Sequence, residues 1–324
     1  MSALISVVVP VYNERESLPI LIDEIEAAMT AASLPFEIVC VDDGSRDGSA
    51  EILDALAAAK PFLVVVHFKR NCGQTAALMA GVDHSKGDII APLDADLQND
   101  PRDIPKLVAK LNEGFDVVSG WRRQRQDLAW RRVFPSRVAN WLISKVTGVA
   151  LHDYGCSLKA YRRSALEGVR LYGELHRFVP VFVRMQGGRI AEAEVNHRPR
   201  KYGSSKYGLE RIGKVILDLM LVKFLASYAQ KPIYVFGGFG LASLLFSLLP
   251  MGLAVFFKLM PRDTGLHKDF VESPLPVFAA VFLVAGCLGI LLGLQAEILM
   301  RTYHEAQDKP TYLVDRVVRH PGAG

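Results

Sequence analysis

Two long stretches near the C-terminus contain no charged residue, and they restrict the folds open to this chain more than any other feature. These stretches are residues 232–257 and 273–296. A helix needs about 20 apolar residues to cross roughly 30 Å of hydrocarbon, so each stretch is long enough for one crossing. Buried helices of a soluble protein, of this length and both uncharged, are the alternative. We therefore predict two transmembrane helices, at about residues 232–257 and 274–299.

Basic residues are concentrated on the outer sides of these two stretches. The segment between them, residues 258–274, balances three basic residues with three acidic ones. The flanking segments contain Arg211, Lys214, Lys223, Lys231, Arg301, Lys309, Arg316 and Arg319. Because positive charge favours the cytoplasmic side, we expect both termini to be cytoplasmic and only the short loop to face outward. The chain should then be a multi-pass protein of the plasma membrane.

Residues 4–118 show a different pattern, in which short β-branched runs alternate with helical periodicity. The predicted strands are residues 5–9, 37–41, 63–67, 89–93 and 116–118, and the predicted helices are residues 16–32, 48–59, 74–85 and 104–113. Apolar strands that alternate with helices indicate an α/β fold with a mostly parallel sheet covered on both faces. Ligands of such sheets bind at the carboxyl ends of the strands.

Two further segments combine basic and apolar residues. Residues 121–145 form a basic amphipathic stretch, which is typical of a solvated face, a membrane-surface helix or an anion site. Residues 207–231 predict an amphipathic helix along the bilayer surface. We thus divide the chain into a cytoplasmic α/β domain (1–206), an interfacial helix (207–231), two transmembrane helices (232–300) and a cytoplasmic tail (301–324).

Composition and the N-terminus exclude several classes of protein. Lys and Arg total 38 and Asp and Glu total 34, and the resulting net charge of +4 is too small to indicate nucleic-acid binding. The four cysteines form no C-x-x-C pair, so neither a zinc site nor a disulfide framework is predicted. No basic segment precedes the first apolar run, which favours a strand over a signal peptide and keeps the first domain in the cytoplasm.

Acidic and polar side chains follow three of the predicted strands. They are Asp94-Ala95-Asp96, Asp42-Asp43-Gly44-Ser45 and Pro10-Val11-Tyr12-Asn13-Glu14. Two carboxylates separated by one residue can share a divalent cation that also binds phosphate oxygens, although a solvated turn is the alternative. Three such clusters at one edge of a sheet favour a nucleotide-diphosphate pocket with Mg²⁺ or Mn²⁺. No G-x-G-x-x-G follows the first strand and no G-x-x-x-x-G-K-[ST] occurs, so the glycine-rich phosphate loops are missing.

Five short motifs together resemble one enzyme family. They are Val9-Pro10-Val11-Tyr12-Asn13-Glu14, Asp42-Asp43-Gly44-Ser45, Asn71-Cys72-Gly73-Gln74, Leu93-Asp94-Ala95-Asp96-Leu97-Gln98 and Arg198-Pro199-Arg200-Lys201-Tyr202-Gly203-Ser204-Ser205-Lys206. The series is similar to that of family 2 glycosyltransferases, whose GT-A fold is Rossmann-like. More narrowly, it resembles the polyprenyl-phosphate glycosyltransferases, which include dolichyl-phosphate mannose synthase and its bacterial undecaprenyl-phosphate relatives. The resemblance covers essentially the whole chain, including the two C-terminal membrane helices.

The resemblance implies a donor site at the carboxyl edge of the sheet. The residues that it assigns to the nucleotide sugar are Pro10, Tyr12, Asn13, Glu14, Asp42, Asp43, Asp94, Ala95, Gln98, Arg200 and Lys206. Asp94, Asp96 and Gln98 match the family's positions for Mg²⁺ or Mn²⁺, which bridges to the donor diphosphate, and Asp96 is counted among the catalytic residues. Arg200 and Lys206 match a flexible basic loop that closes over this diphosphate. A solvated turn is the alternative for that loop.

The resemblance also implies an acceptor site. Its phosphate-binding residues would be Arg122, Arg125, Asp127, Arg131 and Ser136. Arginine forks suit a phosphate at a membrane surface, and a basic face attracted to anionic lipid is the alternative for any single arginine. Asp153 is the candidate catalytic base by position. Because a phosphate monoester is already largely ionised near neutral pH, Asp153 has an alternative role in orienting groups of the site.

These matches predict inverting transfer of one sugar from a nucleotide-diphosphate sugar to polyprenyl phosphate at the cytoplasmic face of the inner membrane. The product would be a polyprenyl-phosphate sugar for envelope or glycan modification. A processive polysaccharide synthase is one alternative, but its Q-x-x-R-W motif is missing. A nucleotide-binding membrane scaffold without catalysis is the other. The bacterial relatives also suggest a homo-oligomer, specifically a tetramer, while the motifs select neither the sugar nor UDP over GDP.

Overall fold

The computed structural model contains two compact units. The first comprises residues 1–222 and 310–324, and the second comprises residues 223–309. The structure describes residues 3–123, 143–145, 147–169, 171, 175–199, 201, 222, 233–262, 265–305 and 314–319. The first unit is built around a β-sheet and the second around a pair of helices.

The first unit contains one sheet of eight strands. The strands are β1 (Ile5–Val11), β2 (Phe36–Asp42), β3 (Leu63–Phe68), β4 (Ile89–Pro92), β5 (Val117–Trp121), β6 (Lys159–Arg162), β7 (Ile190–Glu194) and β8 (Val314–Arg319). Their order across the sheet is β7-β5-β6-β4-β1-β2-β3-β8. β6 and β8 run antiparallel to their neighbours, and the remaining pairings are parallel. The prediction of a mostly parallel sheet is therefore confirmed.

Four helices cover this sheet close to the predicted positions. They are α1 (Leu18–Ala31), α2 (Ser49–Ala59), α3 (Gln74–His84) and α4 (Ile104–Asn112). Shorter helical turns follow at Arg163–Leu166 and Val179–Met185. Their apolar side chains point toward the sheet because they recur at the spacing of a helix face. Leu21 and Ile25 of α1 and Leu107 of α4 accordingly share one buried cluster.

The central strand β1 is buried on both faces, as its mostly apolar sequence predicts. Val7 and Val9 pack on the face covered by α1 and α4, whereas Val8 packs on the opposite face with Met79 of α3. All three valines are fully buried. Strands covered on both faces are apolar throughout rather than alternating, which is typical of parallel sheets between helical layers.

Helix α3 lies very close to β1. A Cβ atom at Gly81 would come within 2.2 Å of Cγ1 of Val8, so this approach requires a glycine. The approach also fixes the start of α3, where Gln74 lies near the carboxyl end of β4. The packing of this helix thus bears directly on the candidate site.

Three strands were not predicted from the sequence. β6 has four residues, of which Lys159 and Arg162 are charged, and β7 and β8 are short and only partly buried. β8 comes from the segment predicted as a cytoplasmic tail, and it pairs antiparallel with β3 at the edge of the sheet. Residues 314–319 are therefore part of the first compact unit rather than a separate tail.

The second unit contains two long apolar helices, Ile233–Leu259 and Leu275–Glu305. Both are long and apolar enough to cross a membrane. They approach each other through small residues, since a Cβ at Gly240 would lie 2.7 Å from the carbonyl oxygen of Gly286. Large apolar side chains such as Leu248 are exposed. Close packing through small residues beneath an exposed apolar surface is typical of membrane helices.

Candidate active site

The carboxyl ends of β4, β1 and β2 lie side by side, because these strands are parallel neighbours. The polar clusters singled out in the sequence follow these three ends: residues 10–14 at β1, residues 42–45 at β2 and residues 94–98 after β4. The three clusters therefore meet at one edge of the sheet.

After β4 the chain makes a tight turn that brings two carboxylates together. Leu97 has a φ of 62°, the left-handed conformation that residues other than glycine rarely adopt. Asp96 Oδ1 accepts a hydrogen bond of 3.1 Å from the backbone N–H of Gln98. Asp94 Oδ1 accepts one of 2.8 Å from Nε2 of Gln74, the first residue of α3. The turn thus holds both carboxylates, half-buried, at the end of β4.

The electrostatic environment of Asp94 disfavours its charged form. Burial, and then the neighbouring carboxylate of Asp96, raise the pKa of Asp94. A hydrogen bond with Ser157 and the charges of Arg122 and Lys159 act in the opposite direction but do not cancel the rise. Among the residues that the structure describes, no cation forms an ion pair with Asp94. A buried carboxylate beside a second carboxylate is typical of a functional position, where a bound cation can offset the negative charge.

The side chains at the turn after β4 determine which kind of metal ion could bind there. Within the described part of the chain, no group of three or more His, Cys, Asp or Glu side chains could hold a metal ion. The turn offers the carboxylates of Asp94 and Asp96 and the side-chain amide of Gln98, all half-buried. Mg²⁺ commonly binds one or two carboxylates and takes its other oxygen ligands from substrate phosphates and water. The turn therefore suits a cation shared with a phosphate ligand better than a closed protein site.

The loop after β1 is fastened to the loop after β2. Asn13 has a φ of 56°, and its Oδ1 accepts a hydrogen bond of 2.8 Å from the N–H of Arg46. The N–H of Asn13 donates to Oγ of Ser45 at 3.0 Å. Asn and Asp tolerate this left-handed conformation better than most residues because their side chains bond locally to the backbone. Asn13 therefore shapes the rim of the site through the backbone.

The neighbouring residues of this rim differ in what they expose. Tyr12 is 37% exposed, and Pro10 lies in β1 with part of its ring exposed. The backbone N–H of Glu14 donates to Oγ of Ser49 at 3.1 Å. Ala95 is buried between the two carboxylates of the turn. Of the four predicted donor residues Pro10, Tyr12, Glu14 and Ala95, Tyr12 thus offers the largest accessible surface.

Asp42, at the end of β2, is buried and fully oriented by its partners. Its Oδ1 accepts a hydrogen bond of 3.0 Å from the N–H of Ser45, and its Oδ2 lies 3.0 Å from Nδ1 of His67. Burial alone would raise the pKa of Asp42, but the hydrogen bonds from His67 and Ser45 and the charge of His67 outweigh it and lower the pKa. Asp42 is therefore an ionised, fixed acceptor at the edge of the sheet.

Asp43 binds backbone groups of the loop before α3. It accepts hydrogen bonds from the backbone N–H groups of Cys72, at 2.5 Å, and Gly73, at 2.9 Å. Burial raises the pKa of Asp43. The two hydrogen bonds lower it and the nearby charge of Asp42 raises it further, so the net shift is upward. Its contacts fix the loop that leads into α3. The geometry thus assigns Asp43 to the support of Gln74 and its helix.

Asp153 and Arg122 form a buried two-point ion pair. Nε of Arg122 donates to Oδ2 of Asp153 at 2.7 Å, and Nη2 donates to Oδ1 at 3.0 Å. Although burial opposes it, the hydrogen bonds to Asp153 raise the pKa of Arg122 well above its usual range. Such forks fix the plane of a guanidinium. Asp153 therefore orients Arg122, and its role as a general base stays a prediction.

Arg198 fastens the chain just before the predicted basic loop to the turn after β4. Its backbone N–H donates to the carbonyl oxygen of Gln98 at 2.8 Å. Its Nη2 lies 2.8 Å from Oδ1 of Asp100, and its Nη1 donates to Oε2 of Glu24 in α1 at 2.7 Å. These contacts place the residues just before the predicted basic loop beside the carboxylate turn.

Several predicted residues lie outside the described part of the chain. They are Arg125, Asp127, Arg131, Ser136, Arg200 and Lys206. The basic amphipathic segments predicted at 121–145 and 207–231 also lie largely outside it. Their predicted roles stay predictions.

Sequence reasoning missed four residues that support the site. They are Gln74, His67, Lys159 and Arg198. Gln74 lies in a motif that was noted, whereas His67 has no metal-ligand spacing and was expected to be structural. Lys159 is buried, and its ammonium donates to the backbone carbonyls of Tyr154 and Cys156. A buried lysine gives no sequence signal beyond its charge, whereas Arg198 lies at the start of the fifth motif but was given no role there.

The sheet order, the carboxylate pair after β4 and the oriented arginine beside it define the class of GT-A glycosyltransferases. The chain belongs to glycosyl transferase family 2, whose sequence signature matches residues 6–170. It is therefore a glycosyltransferase, and the predicted family is confirmed.

Two curated relatives are similar over nearly the whole chain. A dodecaprenyl-phosphate galacturonate synthase of Rhizobium johnstonii is 39% identical over 317 residues, which cover 97% of this chain and 92% of that protein. An undecaprenyl-phosphate 4-deoxy-4-formamido-L-arabinose transferase of Pseudomonas aeruginosa is 42% identical over 317 residues, which cover 98% of this chain and 91% of that protein. The likeness thus extends well beyond the family signature.

Solved structures share the fold at lower identity. Glucosyl-3-phosphoglycerate synthase from Mycobacterium tuberculosis, in complex with Mn²⁺, UDP and phosphoglyceric acid, has a TM-score of 0.53 at 21% identity, covering 69% of this chain and 78% of that chain. A mannosyltransferase from Pyrobaculum calidifontis, in complex with GDP-Man and Mn²⁺, has a TM-score of 0.51 at 20% identity, covering 96% and 82%. These likenesses establish the GT-A fold of the chain.

Proposed function

We propose that this glycosyltransferase moves one sugar from a nucleotide-diphosphate sugar to the phosphate of a membrane polyprenol, with inversion at the anomeric carbon. The observation that carries the proposal is the cluster of Asp94, Asp96 and the Arg122–Asp153 pair. It combines carboxylates suited to a cation and a diphosphate with a guanidinium suited to a second phosphate. The names of the two curated relatives, both of which include a polyprenyl phosphate, support the choice of acceptor.

Asp94, Asp96 and Gln98 would hold Mg²⁺ or Mn²⁺. Their oxygen atoms suit a hard cation, and such a cation would offset both the burial and the neighbouring Asp96 charge that raise the pKa of Asp94. When bound, the cation would neutralise part of the charge that develops on the leaving diphosphate. Both solved structures described above contain Mn²⁺, which supports a divalent ion.

The nucleoside of the donor would lie against the loops after β1 and β2. Tyr12 offers an exposed ring for stacking, and Asp42 offers an ionised, oriented acceptor. The other residues that would shape this part of the pocket are Pro10, Asn13, Glu14, Asp43 and Ala95. Asn13 and Asp43 would act through the loops that their side chains hold.

Arg200 and Lys206 would contact the donor diphosphate from the segment that Arg198 fastens. Because Arg198 is bonded to Gln98 and Asp100, the segment starts beside the proposed cation site. Two basic side chains there would stabilise negative charge on the leaving nucleotide, which is larger in the transition state than in the bound substrate.

Arg122 would bind the acceptor phosphate. Asp153 occupies Nε and one position on Nη2, so within the described part of the chain the Nη1 donors stay available to a phosphate oxygen. Arg125, Asp127, Arg131 and Ser136 would complete the acceptor site. Arg122 also lies close enough to Asp94 for their charges to interact, so the two substrate phosphates would meet near the carboxylate turn.

In the proposed reaction, an oxygen of the lipid phosphate attacks the anomeric carbon from the side opposite the leaving group. The new carbon–oxygen bond forms as the bond to the diphosphate oxygen breaks, and the nucleoside diphosphate leaves with the electron pair. A phosphate monoester is largely ionised near neutral pH, so the attacking oxygen needs orientation more than deprotonation. Asp153 would supply that orientation through Arg122, and proton acceptance by Asp153 is the alternative that a pH profile tests.

The proposed location is the inner membrane, with the sheet unit and both termini on the cytoplasmic side. The two apolar helices would each cross the bilayer once, which makes the protein multi-pass. The basic residues on the outer flanks of these helices support this orientation. A homotetramer is the proposed assembly, by resemblance to bacterial members of the group.

The test uses full-length protein in detergent with undecaprenyl phosphate, Mn²⁺ or Mg²⁺ and a panel of UDP- and GDP-sugars. We expect mass spectrometry to show one lipid-linked monosaccharide with one donor, and no product after chelation of the metal. Asp96→Asn should greatly reduce product formation, while Glu51→Gln, which neutralises an exposed acid on α2, should not. A polymeric product would indicate a processive synthase, and metal-dependent nucleotide binding without donor consumption would indicate a scaffold.

A further inference from the structure

A buried histidine lies between two carboxylates at the edge of the candidate site. His67 in β3 is 4% exposed. Its Nδ1 lies 3.0 Å from Oδ2 of Asp42, and its Nε2 lies 2.9 Å from Oδ1 of Asp54 in α2. Only the doubly protonated ring can donate to both carboxylates. Although burial opposes it, hydrogen bonds to Asp42 and Asp54 raise the pKa of His67.

The series of charges continues into β8. Arg316 stands opposite His67 in the antiparallel pairing of β3 and β8. Nη2 of Arg316 donates to Oδ2 of Asp54, although the two residues are 262 positions apart in the chain. Opposite charges therefore alternate from Asp42 through His67 and Asp54 to Arg316. This arrangement depends on the register of β8, because a slip of one residue would turn Arg316 to the other face.

The consequence for Asp42 is a fixed orientation. The N–H of Ser45 binds one of its oxygens and His67 binds the other, so the carboxylate cannot rotate without losing one of them. A carboxylate has about four acceptor positions. Among the described residues, Ser45 uses two of these positions, through its N–H and its side chain, and His67 uses a third, which leaves about one to accept from a ligand.

We propose that His67, held by Asp54 and Arg316, is a positioning residue for the donor nucleotide: it fixes Asp42 as an acceptor for a hydrogen-bond donor of the nucleoside, either a base N–H or a ribose hydroxyl. This inference rests on the proposed function, in which Asp42 contacts the nucleoside. It adds the strand β8, at the far end of the chain, to the residues that determine nucleotide affinity. It also separates the nucleoside part of the site from the diphosphate part at Asp94 and Asp96.

The experiment measures binding of UDP, GDP and inorganic pyrophosphate by calorimetry, with full-length protein in detergent and Mn²⁺ present. His67→Leu should weaken binding of the preferred nucleoside diphosphate by about tenfold or more, because it removes a charged hydrogen-bond partner of Asp42. His67→Asn, whose amide can still donate to Asp42, should stay within about threefold of the parent protein. Pyrophosphate binding should be unchanged in both variants. The 2′-deoxy form of the preferred nucleotide tests whether Asp42 accepts from the ribose 2′-hydroxyl. If it does, the parent protein and His67→Leu should bind the 2′-deoxy form equally. If Asp42 accepts from a base N–H, His67→Leu should still bind it more weakly.

Arg316 provides a variant that does not disturb a buried group. The Arg316 side chain is 51% exposed, so Arg316→Gln should weaken nucleotide binding by only about two- to threefold. Arg319→Gln, a matched change of an exposed arginine on the same strand, should have no effect. In turnover assays, His67→Leu and Arg316→Gln should raise KM for the donor while KM for undecaprenyl phosphate stays constant.

Asp42→Asn distinguishes the nucleoside contact of Asp42 from the positioning role of His67. If Asp42→Asn weakens nucleotide binding and both His67→Leu and Arg316→Gln bind normally, the positioning role is overturned while the nucleoside contact of Asp42 stands. If Asp42→Asn itself binds normally, the assignment of Asp42 in the proposed function fails, and the role of His67 fails with it. Equal losses of pyrophosphate and nucleotide binding in His67→Asn would reduce His67 to general structural support.

Discussion

Asp94 and Asp100 lie on the same loop after β4, yet their pKa values shift in opposite directions. Burial and the carboxylate of Asp96 raise the pKa of Asp94. Asp100 is also buried, but hydrogen bonds from Arg102 and Arg198 outweigh the burial and lower its pKa to about 2. Burial penalises the charge of both carboxylates, but only Asp100 has hydrogen-bonded arginine partners that outweigh the penalty.

The contrast distinguishes two uses of an acidic side chain. Asp100 is compensated by the protein itself, and its ion pair with Arg198 fixes the course of the chain. Asp94 is left with a like-charged neighbour, and the structure keeps it in place through Gln74 and the turn. A carboxylate that the fold holds but does not compensate is suited to a ligand cation.

The largest expected effect comes from removing one acid of the carboxylate pair after β4. Asp96→Asn should lower the rate of sugar transfer by about 10³-fold, since it removes a group that acts on charge in the transition state. The thermal unfolding temperature should stay equal or rise, because the change also removes repulsion with Asp94. Product formation by mass spectrometry and unfolding of the same preparation check this. Retained metal-dependent turnover would exclude Asp96 from the site.

A smaller effect is expected at Arg200, which follows Arg198, the partner of Asp100, by two residues. Arg200→Ala should lower kcat by about 10²-fold through loss of a donor to the leaving diphosphate. Arg200→Lys keeps the charge but loses the planar fork, so its rate should be intermediate. Steady-state kinetics with saturating donor measure both. Equal rates for all three proteins would assign this loop to the solvated-turn alternative.

Asp100 should affect stability more than chemistry. Asp100→Asn leaves the partly buried guanidinium of Arg198 without one of its carboxylates, and we expect a loss of about 1–3 kcal/mol in the free energy of unfolding. Asp94→Asn on the same loop is the matched control and should cause no such loss. Thermal or denaturant unfolding in detergent gives the comparison. A larger destabilisation by Asp94→Asn would reverse the assignment of the two acids.

The smallest effects are expected in the pH dependence of stability. The pKa of Asp100 is lowered from 3.8 to about 2, so its stabilising contribution is present above 3.8 and is lost as the pH falls toward about 2. The pKa of His67 is raised above 6.5, so its contribution is complete below 6.5 and is lost as the pH rises through the raised value. The charged groups that face His67 are Asp42, Asp54 and Arg316.

Unfolding temperatures measured across this pH range check both directions. Asp100→Asn should remove the decline on the acid side, and His67→Asn should remove the decline on the alkaline side. An unchanged acid decline in Asp100→Asn, or an unchanged alkaline decline in His67→Asn, would assign the transition to another group.

The sequence predicted the central strands and the four covering helices closely, because their apolar periodicity is local. It did not predict β6, whose Lys159 is buried, or β8, whose alternation is weak. Asp94 and Asp96 could be found because they follow an apolar strand directly. Asp153 was proposed as a base from its position, whereas the structure adds its ion pair with Arg122, the residue that directly follows β5.

The sequence by itself determined the α/β alternation, the two apolar helices and the polar clusters at strand ends, because each depends on residues that are neighbours in the chain. Only the tertiary structure decided which carboxylates are compensated. Arg198 reaches Asp100, and Arg316 reaches Asp54, through contacts between distant segments. Ion-pair and hydrogen-bond energies depend on distances of a few ångströms, and those distances are set by packing and strand register rather than by local pattern.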